Sequence, residues 1–125
     1  MNGKRIVITG MGTVNPLGNS VGETWEKASN GRSGIAKIKG FDASALQVDI
    51  AGEVKDFNFA EHFSSEMSRT AKRMDPFVHY AAAAVKQAIG QSGLQIDKDP
   101  ERIGISFSSG MGGMRTQHEN SAALA

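Results

Sequence analysis

RIVITGMGTVNPLGNS, Arg5 to Ser20, changes character twice along its length. The β-branched, apolar run from Lys4 to Thr9 reads as a buried strand. It is ended by Gly10-Met11-Gly12, a turn in which glycine admits backbone conformations that other residues resist. A second turn follows at Asn15-Pro16-Leu17-Gly18. Ser20 and Glu23 then stand at capping-box spacing, where the serine oxygen and the glutamate side chain satisfy free amides at a helix start. Val21, Thr24, Trp25 and Ala28 continue at helical spacing, and Asn30-Gly31 ends the helix. Strand, glycine turn and helix in succession open an α/β arrangement.

Beyond that opening the pattern weakens. Arg32 to Phe59 reads as an irregular connection, with turns at Gly34, Gly40 and Asp42 and at most one short strand within Ile50 to Val54. Ser64 to Arg73 reads as a short helix, whose three- and four-residue spacing places Arg69, Lys72 and Arg73 on one face. Asp75-Pro76 starts a longer helix, with Asp as cap and Pro at the first position, where its missing N–H is not needed. Phe77, Ala81, Ala84, Val85, Ala88 and Ile89 form its apolar face, Ala81 to Ala84 imply close packing, and Gly93 ends it. Arg102 to Ser108 alternates Ile103, Ile105 and Phe107 with Gly104, Ser106 and Ser108, which reads as a strand with a tightly packed neighbour on its small face. The strand runs into Ser109-Gly110-Met111-Gly112-Gly113, after which the chain is polar and weakly patterned. Two clear strands and one short one are fewer than a covered parallel sheet needs, so the sheet is read as incomplete.

Composition narrows the chemistry. The 125 residues carry a formal net charge of +1, which gives no global field for nucleic acid or an anionic membrane, and any basic site must be local. There is no cysteine, so disulfides, thiolate-ligated zinc and a thiol nucleophile are all excluded from these residues. Ile6, Val7 and Ile8 are too short an apolar run for a signal peptide, and no stretch reaches membrane-spanning length, so cytoplasmic residence is expected.

The glycine turns invite a nucleotide-binding reading and fail it. A dinucleotide fingerprint needs a third glycine where this chain has Asn15 followed by Pro16, and the helix starts too late to cradle a phosphate. The second turn lacks the Lys-Ser/Thr ending of a P-loop. His62, His79 and His118 have no ligand spacing and read as surface or packing residues. No pattern calls for a metal or a cofactor.

Four stretches match one family in order. RIVITGMGTVNPLGNS resembles the first strand and turn of β-ketoacyl-acyl carrier protein synthases, particularly the class that elongates longer acyl chains and the related polyketide ketosynthases. NGRSGI, Asn30 to Ile35, resembles the segment after their first helix, and SRTAKRMDPFVHYAAAAVKQAI, Ser68 to Ile89, their basic helix and long helix. RIGISFSSGMGGM, Arg102 to Met114, resembles their next core strand and glycine turn.

The resemblance implies an α/β, thiolase-like layered fold, of which residues 1–125 would be the N-terminal portion of the first half with the sheet incomplete, usually in a homodimer. It implies decarboxylative condensation of malonyl-carrier protein with an acyl thioester in fatty-acid elongation. The family performs this with an active-site cysteine at a later strand-to-helix turn and two later histidines, none of which this sequence contains, so the segment alone is expected to be inactive. The same resemblance implies that Arg69, Lys72 and Arg73 dock the acidic acyl carrier protein. It also implies that Met111, the variable residue of the family's Gly-Ser-Gly-x-Gly-Gly turn, lines the acyl pocket near the dimer interface. Ser108 replaces the first glycine of that turn, which alters the shape expected of the pocket. The alternative is a non-catalytic chain-length-factor type partner subunit, in which another residue stands at the cysteine position.

Overall fold

A computed structural model describes residues 3–124; Met1, Asn2 and Ala125 lie outside the described residues. The elements in order are helix α1 (Val21–Ser29), strands β1 (Ala36–Lys37) and β2 (Ile50–Ala51), a 3-10 turn at Phe59–Glu61, helix α2 (Ser65–Ala71), helix α3 (Pro76–Ser92), a 3-10 turn at Pro100–Arg102 and helix α4 (Met114–Leu124).

Helix α3 is the spine. Asp75 precedes Pro76 at its first position, and Gly93 closes it in the left-handed conformation at φ 67°, which glycine adopts without the Cβ clash other residues suffer. Its run of alanines lets another backbone come close. A Cβ built at Gly10 would strike the Ala88 carbonyl oxygen, and one at Gly12 would strike that of Ala84. The α3 side chains complete the seat: Gln91 Oε1 accepts from the Met11 amide at 2.6 Å and Gln87 Oε1 from the Thr13 amide at 3.3 Å. Gln87 Nε2 also donates to the Asn19 carbonyl at 2.8 Å. These glycines are therefore required for close approach, and neither has a positive φ. The turn expected at Gly10-Met11-Gly12 is absent, and the chain first reverses at Asn15–Gly18, whose backbones exchange hydrogen bonds of 2.9 and 3.1 Å.

That reversal delivers α1. Ser20 Oγ accepts from the Glu23 amide at 3.2 Å, and Glu23 reaches back to the Asn19 amide at 2.9 Å, one residue earlier than a standard capping box. Asn15 ties turn to helix by donating to Thr13 Oγ1 and Thr24 Oγ1, both at 2.9 Å.

The two expected strands do not form. Neither Lys4 to Thr9 nor Arg102 to Ser108 joins a ladder, and the sheet among the described residues is the antiparallel pair β1–β2, with Ala36 opposite Ala51 and Lys37 opposite Ile50. Apolar alternation marks a segment that buries one face, but a strand also needs a neighbour to take its N–H and C=O groups. No other described segment pairs with either run. Ile6, Ile8 and Ile105 are 95%, 83% and 83% exposed. The small face of Gly104, Ser106 and Ser108 likewise meets no packed neighbour, since nothing lies within 4 Å of a Cβ at Gly104. Both runs border α3: Phe107 faces an open apolar groove shared with Gly10, Met11, Gly12, Ala84, Val85 and Ala88.

Two elements were not legible in advance. Strand β1 lies within the supposed irregular connection, and α4 occupies the supposedly unpatterned end. An aromatic cluster braces the 3-10 turn on α3, with Phe57 stacked on His62 at 5.0 Å, Phe57 edge-on to Tyr80 at 5.1 Å and Phe59 stacked on His79 at 4.8 Å. His62 and His79 thus serve packing.

The glycine seat gives a direct test. Gly12→Ala should destabilise by about 1–3 kcal/mol through overpacking against the Ala84 carbonyl. Gly22→Ala, on α1 with nothing within 4 Å of its Cβ, should be neutral or stabilise by up to about 1 kcal/mol. Urea midpoints of the folded protein measure both, and equal effects at the two positions would remove the seat.

Candidate carrier-docking turn and acyl-pocket turn

Helix α2 begins at Ser64, whose hydroxyl accepts from the Met67 amide at 3.3 Å, and ends at Ala71. Ala71 is 1% exposed and is the only fully buried residue of the helix. Arg69 lies in the last turn, Lys72 is the C-cap, and Arg73 falls just beyond. The helix expected to reach Arg73 is thus shorter, because the chain must turn at Lys72–Met74 to enter α3; the Arg73 amide bonds to the Thr70 carbonyl at 3.0 Å and that of Met74 to Ala71 at 2.9 Å. All three cations are exposed. None forms a salt bridge among the described residues, where the pairs are Lys27–Glu23 and Lys37–Asp49. Cations at this end also favour the negative end of the helix dipole.

The SSGMGG turn also meets the start of α3. Gly112 lies against the Phe77 ring, where a Cβ would stand 2.7 Å from Cζ. Thr116 Oγ1 donates to Asp75 Oδ1 at 2.9 Å. Asp75 caps no amide of its own helix with its side chain. Its expected capping role is replaced by this bond to α4. Met111 is 73% exposed. The turn is on the surface of the described residues, not in a core, and Met111 is not enclosed by a pocket within them.

A polar cavity lies elsewhere, between the Asn15–Asn19 turn, α1 and Lys55-Asp56. Glu23, Lys27 and Arg32 border it. The Glu23 carboxyl is held below its ordinary value, first by the hydrogen bond from Lys27 and then by the Asn19 amide. It is engaged in holding the helix start, a structural task. The α1 N-terminus is thus capped by the chain's own Ser20 and Glu23.

The family model for the β-ketoacyl synthase N-terminal domain matches residues 3–124. The chain belongs to this family. The 3-oxoacyl-[acyl-carrier-protein] synthase 2 of Staphylococcus aureus (strain N315) is 45% identical over 114 residues, covering 90% of this chain and 27% of the relative. That of Vibrio harveyi is 39% identical over 125 residues, covering 99% and 29%. Among solved structures, the ishigamide ketosynthase/chain length factor aligns with a TM-score of 0.59 at 31% identity, over 73% of this chain and 22% of that one. The chain therefore spans little more than a quarter of the curated relatives it matches. The ketosynthase N-terminal domain, a partial α/β segment, is the fold. No helix among the described residues is long and apolar enough to cross a membrane.

The shifted Glu23 carboxyl sets a pH dependence. A carboxyl whose value is depressed by folding contributes stability above its unfolded value and loses it as pH falls through the folded one. Glu23→Gln should therefore be less stable than the parent at neutral pH, and the gap should close in acid. Denaturant midpoints across that range check this; a gap that widens on acidification would contradict the assignment.

Proposed function

We propose that residues 1–125 are the N-terminal portion of the first thiolase-like half of a cytoplasmic 3-oxoacyl-[acyl-carrier-protein] synthase. The complete enzyme condenses malonyl-carrier protein with an acyl thioester in fatty-acid elongation and is a homodimer. The observation that carries this reading is the match along 90% of the chain to synthases that are themselves far longer. The bare apolar runs at Ile6, Ile8 and Ile105 support it, because such faces require cover from further chain. With no cysteine present, the nucleophile must come from that further chain.

Within this reading Arg69, Lys72 and Arg73 dock the acidic carrier protein. Their exposure, and the lack of a salt bridge to them among the described residues, suit the role, since a local basic patch steers an acidic partner even when net charge is close to zero. Met111 lines the acyl pocket, where a flexible thioether accommodates alkyl chains of differing length. Met111 is 73% exposed and so is open to contact with further chain.

A second reading has one observation in its favour: the solved relative with a TM-score of 0.59 is described as a ketosynthase/chain length factor. A chain-length-factor subunit would share this N-terminal domain and lack the cysteine. The residue at the position of the family nucleophile, in the polypeptide that continues this segment, decides between them.

Two outcomes follow. The 125-residue chain alone should not turn over malonyl- and acyl-carrier substrates, should bind apolar dyes, and should melt without cooperativity. Turnover, or a sharp transition in a dilute monomer, would overturn the assignment of this chain as one portion of a larger fold. In the complete synthase, reversing Arg69, Lys72 and Arg73 to Glu should slow carrier association by roughly tenfold or more at low salt. The defect should shrink as salt shortens screening to about 8 Å near physiological strength. The specificity constant for a small thioester that bypasses the carrier should hold. Equal losses on both substrates would indicate misfolding, and no loss on either would return these residues to ordinary surface.

A further inference from the structure

Helix α2 is too short to be stable through its own hydrogen bonds, because isolated helices below about 12–15 residues are marginal in water. Something outside it must hold the turn that carries Lys72 and Arg73. One side chain reaches across from α3: His79 Nε2 lies 2.7 Å from the Ala71 carbonyl oxygen. A carbonyl only accepts, so the ring carries a proton on Nε2 and donates it there. The ring itself is fixed on its faces and edge. It stacks on Phe59 with centroids 4.8 Å apart and planes 16° from parallel, and Phe63 meets it edge-on at 5.6 Å. The acceptor is the last carbonyl of α2, belongs to a residue 1% exposed, and also receives the Met74 amide at 2.9 Å.

From this geometry we infer that His79 is a positioning residue: it pins the Ala71 peptide to α3 and so fixes the place from which Arg69, Lys72 and Arg73 are presented. This rests on the docking role proposed above. Lys72 and Arg73 follow Ala71 directly, and Arg69 lies two residues before it, so loosening that peptide spreads the cations over a wider set of positions. A partner then meets a patch with the same charge but without fixed spacing. The imidazole contributes through its donor and its rigidity, not through charge at the surface, and it touches neither substrate nor partner.

The test uses the complete synthase with three variants. His79→Phe keeps a ring for the stack and removes the donor. His79→Gln restores an N–H at comparable reach. His79→Asn keeps a donor that is too short and stands in if the Phe variant is insoluble. Amide hydrogen exchange, without carrier protein, reads the turn at Lys72, Arg73 and Met74. Loss of one hydrogen bond is worth roughly a five-fold change. Exchange at these amides should accelerate by about that factor in the Phe and Asn variants, return in Gln, and stay unchanged across residues 81–90. KM for the carrier-borne substrate should rise several-fold in Phe and Asn with kcat and small-thioester turnover unchanged, and recover in Gln. Exchange that is the same in all variants, or a KM that does not separate Phe from Gln, overturns the inference. If instead the triple charge reversal leaves carrier turnover intact while His79→Phe still loosens the turn, the docking role fails and the pin stands.

Discussion

The backbone of Gly10 and Gly12 rests on the carbonyl ridge of α3 at Ala84 and Ala88, and that contact seats the N-terminal run on the longest helix. Two backbones come this close only where neither carries a bulky side chain, which is why glycine faces alanine. The contact leaves amides that would be orphaned against a helix, and Gln87 and Gln91 satisfy two of them from the helix itself. Gln87 has a second role, since it also holds the Asn19 carbonyl at the point where the chain turns into α1. One residue of α3 thereby fixes the end of the first run and the start of the first helix. The Asn15 side chain, bonded to Thr13 and Thr24, locks the angle between them.

The start of α3 organises the candidate sites in the same way. Asp75 holds α4 through Thr116, Phe77 lies under Gly112, and His79 reaches the end of α2. The basic turn and the Met111 turn are thus hung from neighbouring positions on one rigid element. Rigid elements with functional side chains on the connections that leave them are a common division of labour. It allows the proposed docking turn and the proposed pocket turn to be placed relative to each other by a single helix.

What remains bare is as informative as what is packed. Among the described residues the buried apolar side chains are those of Ala43, Ala71 and Ala83, while Ile6, Ile8 and Ile105 stand exposed and Phe107 faces the open groove beside α3. Small side chains bury little area and contribute little hydrophobic stabilisation. The large apolar side chains, which would contribute most, are those without cover. A chain that spans 27% of its curated relatives would leave such a surface.

Local signals determined the local elements. Ser20 with Glu23, Asp75-Pro76 and Gly93 carried enough short-range chemistry to place α1 and the ends of α3, and Ser64 placed α2. The order of four motifs determined the family. The sequence could not supply the ladder partners of Lys4 to Thr9 and Arg102 to Ser108, because alternation reports which face is buried and not what lies alongside. It could not reveal α4 by periodicity, since a helix polar on nearly every side has no stripe, although its Met, Arg, Gln, Glu, Ala and Leu content favours helix. Tertiary structure alone decided that Gly10 and Gly12 serve close approach, that Asp75 bonds to Thr116, and that His79 reaches Ala71. Those contacts join residues far apart in the chain, and their distances depend on how whole elements settle against α3, which no local pattern encodes.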